Sequence, residues 1–188
     1  MPISFPHAPA AAIALISEHL ALPPRSARRG VATETAGGPA IGGQHQIYTI
    51  PGEAILRGEL LAAAQSVGWR YLVMEDGDVI VAAELSGHTD RDLAFAQTST
   101  GAFVHGMSNA IALAERLDDV QRRDYELRLL RIPAAYFVAV WLHHETDDLL
   151  VPLAPAPAGI DPERVYVPQE LLPHLIPVVQ KNAVLGRE

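Results

Sequence analysis

Cysteine is missing from this chain altogether. That excludes disulfide frameworks, thiolate metal sites and cysteine nucleophiles. Long apolar runs are missing too. None reaches the roughly 18–20 residues that a membrane-spanning helix needs, so no membrane partner is expected and the cytoplasm is the simplest location. Clustered positive charge is scarce: 14 Lys and Arg stand against 22 Asp and Glu, for a formal net charge of −8. Binding to nucleic acid needs grouped cations to neutralise phosphates, and none is expected. The one basic run, Arg25, Arg28 and Arg29, sits among Pro, Ser and Ala and reads as a solvated linker. Aromatic residues make up only 6 %. Tyr136, Phe137 and Trp141 fall on one apolar segment, so packing is their default use. The glycine pairs Gly37-Gly38 and Gly42-Gly43 are followed by no Gly-Lys-Ser/Thr, which removes a phosphate-loop reading. No cofactor is expected.

What the chain does have is apolar content. Of its 188 residues, 49 % are hydrophobic, enough to bury a sizeable core. The strongest pattern runs from Tyr125 to Leu153. Tyr125, Leu127 and Leu129 alternate with Glu126 and Arg128, as in a strand with one wet face. After Pro133 comes Ala135 to Leu142, apolar on both faces, which predicts a strand covered on both sides. A polar turn, His143 to Asp148, leads to a third strand, Leu149 to Leu153. The spacing of Trp69, Tyr71 and Val73 predicts another strand. Glu75-Asp76-Gly77-Asp78 then supplies the Asp-Gly turn of a hairpin, with Val79 to Leu85 returning.

Helices are expected at four places. Ile13, Ile16 and Leu20 mark one that Pro23 and Pro24 stop. Leu56, Leu60, Ala63 and Val67 place a second over Glu53 to Val67, with Gly68 as its terminus. Phe103, Met107, Ala110, Ala114 and Leu117 line a third from Thr98 to Leu117, with Thr98, Ser99 and Thr100 as candidate N-caps. Pro168 opens a fourth over Gln169 to Asn182, which Pro173 and Pro177 should bend or fragment. Gln46 to Ile50 and Phe95 to Gln97 read as short extended pieces.

The order is helix, hairpin, helix, three-strand meander, helix. It predicts an α+β fold whose sheet has five strands or slightly more, mainly antiparallel, with helices packed on its faces. Residues 1–44 read as a short helix and a Gly/Pro-rich linker, and residues 45–188 as one α+β domain. The segment Met1 to Leu22 reads as that helix, not as a leader, because it lacks a basic start.

Two groups of side chains invite a chemical reading. Imidazoles and carboxylates are the donors that zinc, manganese or iron take, and His143, Glu145 and Asp147 lie at strand spacing at the meander's second turn. His143 and His144 should point to opposite faces. The bland alternative is a solvated hairpin tip. At the start of the third helix, Ser99, Thr100, His105 and Ser108 form a candidate pocket or anion site, against the plainer reading of a helix cap. No nucleophile elbow surrounds either serine. The function expected is therefore a non-catalytic binding or regulatory module that self-associates as a dimer, with a further protein as an added partner. The alternative is a small metal-assisted or pocket-based enzyme acting through His143 to Asp148.

Overall fold

The structure is a computed structural model and describes residues 3–21, 39–76, 78–162 and 164–185. In chain order the elements are β1 (Ile3–Ser4), α1 (Ala12–His19), β2 (Ala40–Thr49), α2 (Gly52–Leu56), β3 (Gln65–Glu75), β4 (Asp78–Ser86), β5 (Ala94–Ser99), α3 (Ala102–Ala114), α4 (Asp118–Arg122), β6 (Tyr125–Ile132), β7 (Phe137–His143), β8 (Asp148–Pro152) and α5 (Pro168–Leu185). All eight strands join one sheet, in the order β5-β4-β3-β2-β6-β7-β8, with β1 also on β6. The fold is α+β, as the sequence predicts, but the sheet is larger than five strands and mixed. β2 runs parallel to β6, and so does β1. Ile3 and Ser4 pair with Tyr125 and Glu126, and Gln46 to Thr49 pair with Arg128 to Arg131. One edge of β6 is thus shared end to end by two earlier strands. The other ladders are antiparallel.

The two segments read as short extended pieces are full strands. β2 starts inside the glycine-rich stretch, where Gly42 and Gly43 sit at a bulge, and Gly43 adopts φ +60. β5 takes Thr98 and Ser99, so neither caps a helix. Gly101 holds the N-cap position of α3, with no side-chain cap. The basic run at Arg25 to Arg29 and the pair Gly37-Gly38 lie outside the described residues.

The helix expected over Glu53 to Val67 is corrected to α2 and a 3-10 turn at Leu61–Ala63. Gly58, at φ +81, allows the chain to leave the helix early. Gln65 and Ser66 then gain ladder bonds to Thr49 and Tyr48 that a helix could not offer. Gly68 ends no helix. It lies in β3 at φ +152, where a Cβ would stand 2.1 Å from the Leu85 carbonyl oxygen. In α5 the prolines at 173 and 177 do not stop the helix, which continues to Leu185. Each interior proline costs about 3 kcal/mol. Leu171, Leu175 and Val179 are buried against the sheet, and at about 1.5–3 kcal/mol each they offset that cost.

Residues paired across strands share a face, so the register assigns the layers. On one face α3 buries Val104, Met107, Ala110 and Ala114 among Ile47, Leu72, Leu127, Leu129, Val140, Leu142 and Val151. On the other, α2 and α5 cover Leu130, Ile132, Phe137, Ala139 and Leu150. Farther along that face, α1 places Ala12 and Ile16 over Trp69, Tyr71, Ala83 and Leu85. The β7 strand is therefore covered on both sides. Its double-sided apolar pattern follows from that position. Among the described residues no helix is long and apolar enough to cross a membrane.

Candidate functional site

Three groupings of polar side chains stand out, each set by strand register. The first is a row on the α3 face. Gln97, Glu84, Arg70 and His45 are successive cross-strand neighbours on β5, β4, β3 and β2. His45, Arg70 and Glu84 are buried, at 0 %, 2 % and 3 % exposure. The Glu84 carboxylate accepts from Arg70 Nη1 at 3.1 Å, Gln97 Nε2 at 2.9 Å, Arg131 Nη1 at 2.9 Å and Arg131 Nη2. Arg70 Nη2 donates to Ser99 Oγ at 3.2 Å. One carboxylate therefore serves two guanidiniums. Burial alone would raise the Glu84 pKa, but hydrogen bonds from Arg131 and Gln97 and the charges of Arg131 and Arg70 hold it below the usual carboxylate value. Burial pushes the His45 imidazole down to about 3, and its Nδ1 bond to the Gly43 carbonyl, at 2.7 Å, only partly opposes this. His45 is thus neutral near pH 7. Among the described residues, its Nε2 and the Arg70 Nε are buried without hydrogen-bond partners.

The second grouping is the turn between β7 and β8. His143 ends β7 and takes Asp148, while His144, just past the strand, hydrogen-bonds Thr146, with Nδ1 3.0 Å from its Oγ1 and accepting from its N–H at 3.3 Å. His143 Nδ1 donates to Asp148 Oδ1 at 2.8 Å, and the Trp141 indole donates to the same oxygen at 2.7 Å. His144 Nδ1 lies 3.2 Å from Asp147 Oδ1. Asp147 also accepts from Arg123 at 2.7 Å, Tyr125 at 2.6 Å and Thr146 at 2.9 Å. These donors, the Tyr125 hydroxyl foremost, hold Asp147 below the usual aspartate value. Burial, helped by Asp147, pushes Tyr125 up to about 12. Glu145 is exposed. The three residues expected as one ligand set, His143, Glu145 and Asp147, are separated by this pairing. Among the described residues no three of His, Asp and Glu are gathered as a metal site.

The third grouping is a shelf on the opposite face from α3, running on from His143. Gln46, Arg128 and Trp141 are cross-strand neighbours on β2, β6 and β7, and Glu126, His143 and Asp148 form the next row. The Arg128 guanidinium carbon lies 5.0 Å from the Tyr48 ring centre and 4.7 Å from that of Trp141. The two rings meet edge-on at 5.0 Å. Arg128 Nε donates to Glu126 Oε1 at 2.7 Å. The Tyr48 hydroxyl donates to Gln46 Oε1 at 2.7 Å. Burial raises the Tyr48 pKa against the charge of Arg128, which keeps the phenol a donor.

Two elements carry residues proposed from sequence around the start of α3: Ser99 ends β5, and His105 and Ser108 lie in α3. Ser99 joins the buried row through Arg70. Thr100, His105 and Ser108 are exposed. Sequence reasoning missed the row and the shelf. The available signal was a charged residue inside an apolar strand: Arg70 in Trp69-Arg70-Tyr71-Leu72 and Glu84 in Ala82-Ala83-Glu84-Leu85. No protein-family model matches this chain, and neither a curated protein nor a solved structure matches it.

Proposed function

We propose that the chain is a non-catalytic binding module, cytoplasmic, that associates with a second copy of itself along the open edge of β5. The observation that carries this reading is the contrast between the two ends of the sheet. At the β8 end, Leu150 exchanges both backbone hydrogen bonds with Tyr166, which closes part of that edge. At the β5 end the strand Ala94–Ser99 has, among the described residues, β4 on one side only. It contains no proline and no charged residue, and it is largely exposed. Folded proteins blunt such edges with charges, prolines or a covering segment. α1 reaches the strand's face, where His19 stacks on Phe95 with ring centres 4.3 Å apart, but it adds no strand to the edge. A chain of net charge −8 resists broad contact with itself. A neutral strand pairing about a two-fold axis avoids that repulsion.

The test is mass in solution. Light scattering at tens of micromolar should give a dimer. The double variant Ala96→Lys and Thr98→Lys, both at exposed positions, should run as a monomer with unchanged circular dichroism and melting temperature. A wild-type chain that is monomeric under those conditions overturns the reading.

A second reading, a metal-assisted or pocket-based enzyme, has one observation in its favour: the His143–Asp148 hydrogen bond orients an imidazole as general bases and metal ligands are oriented. The binding-module reading expects no rise in melting temperature on adding zinc or manganese. A saturable rise that His143→Ala abolishes would favour the enzyme instead, since a ligand specific to the folded state stabilises by mass action.

A further inference from the structure

The sheet's central strands carry three arginines in cross-strand clusters, and they spend their donors differently. Arg131 gives both terminal nitrogens to Glu84, and Arg70 divides its own between Glu84 and Ser99. Arg128 commits only Nε, to Glu126. Its Nη1 and Nη2 have no protein acceptor among the described residues, and neither is among the buried unpartnered atoms, so both reach solvent. The side chain is nevertheless only 16 % exposed. Tyr48 and Trp141 hold the guanidinium plane, and Glu126 fixes its rotation. The result is a rigid two-pronged donor at a solvent opening.

We infer that this shelf binds a small molecule through one oxyanion group, a carboxylate or a phosphate, gripped end-on by Arg128. A guanidinium fork matches two oxygens of such a group. Holding the fork in place beforehand removes most of the ordering cost of that contact. Gln46, the cross-strand neighbour of Arg128, uses its oxygen for Tyr48 and keeps its amide N–H groups for a further acceptor. The two nearby carboxylates do not compete for the fork. Glu126 sits on Nε, and Asp148 is occupied by the Trp141 and His143 N–H groups. Their charge still disfavours polyanions, which limits the ligand to one such group. On either side the shelf is bounded by apolar clusters, one under α1 and one under α2 and α5. These suit the uncharged body of a small molecule.

The chain has two tryptophans, so Trp69→Phe leaves Trp141 as the only indole reporter. In that background, sodium butyrate and sodium phosphate are titrated at constant ionic strength, with sodium chloride as the blank. A saturable change in Trp141 emission with either probe is expected, and Arg128→Lys should weaken it about tenfold or more, because lysine keeps the charge and loses the fork. Saturation by butyrate alone assigns a carboxylate ligand, and by phosphate alone a phosphorylated one. In the unmutated protein the Arg128 Nε–H resonance should shift along the same curve, which covers the case of a variant that folds poorly. A response no different from chloride, or saturable binding that Arg128→Lys leaves intact, overturns the inference. It rests on Arg128 and not on β5. A monomer that binds butyrate keeps it while losing the dimer, and a dimer that binds neither probe does the reverse.

Discussion

Glu84→Leu is expected to be among the most damaging single substitutions in this chain, lowering the unfolding free energy by about 3–5 kcal/mol at neutral pH. Its carboxylate accepts from three side chains and sits between two guanidiniums on the buried α3 face. Removing it leaves Arg70, 2 % exposed, charged and without its counter-ion. Arg131 is about a quarter exposed and recovers some hydration, so the lower half of that range is the expected result. The same physics predicts the rescue. Replacing the whole group with Arg70→Met, Glu84→Leu and Arg131→Met removes every charge that needed a partner. Stability should return to within about 1–2 kcal/mol of the wild type, or exceed it. Urea unfolding of the wild type, the single variant and the triple variant checks both statements. A single variant as stable as wild type would mean that the ion group holds nothing in place. A triple variant as poor as the single one would mean that shape, not charge, decides.

Acid should weaken the fold well above the pH at which carboxylates titrate, and His45 is the reason. Its pKa falls to about 3 in the folded state, mainly through burial, from 6.5 when exposed. Below pH 6.5 the unfolded chain therefore binds a proton that the native chain refuses. Stability contributed by the neutral imidazole is complete above pH 6.5 and is lost as pH falls toward 3. The slope is about 1.4 kcal/mol per pH unit and the total on the order of 4–5 kcal/mol. Glu84, whose folded pKa is lowered, acts in the same direction at lower pH still: its contribution is present above the unfolded carboxylate value and lost as pH falls through the folded one. Denaturant unfolding between pH 7 and 4 should show the slope. His45→Asn should flatten it, because an asparagine amide can still donate to the Gly43 carbonyl while carrying no titrating proton. An unchanged slope in that variant would assign the acid sensitivity elsewhere.

The sequence made some of this legible for identifiable reasons. The meander β6–β8 announces itself because alternation and a double-sided apolar run are properties of single strands. The β3–β4 hairpin is written in the alternation of Trp69, Tyr71 and Val73, while Gly77 of the expected turn lies outside the described residues, and the buried side of α3 is written in its 3.6-residue spacing. The helix expected across Glu53 to Val67 fails because the apolar spacing there is real but Gly58 breaks the backbone and β2 competes for the residues after it. β2 itself hides behind glycines that look like linker and serve as a bulge. The His143 to Asp148 turn, with its two histidines, was visible as polar chemistry. Their partners were not, since only the turn's conformation decides which side chain meets which ring. The buried row is least legible of all. His45, Arg70, Glu84, Gln97 and Arg131 come from five strands, and each alone resembles a surface residue. Only register brings them together. Arg128 was correctly placed on the polar side of β6 beside Glu126, yet nothing in the chain says that Tyr48 will close over it.

The shared edge of β6 has a consequence for how the protein is made. Synthesis proceeds from the N-terminus, so Ile3 and Ser4 must wait for Tyr125 and Glu126, and Thr49 for Arg131. Until the ribosome has delivered β6, the β2–β5 meander can assemble by local hairpins, but β2 keeps a bare flank. Parallel pairing over such a span is slow to form. A nascent chain stalled before Tyr125 would therefore present that flank to chaperones or to its neighbours on the same messenger.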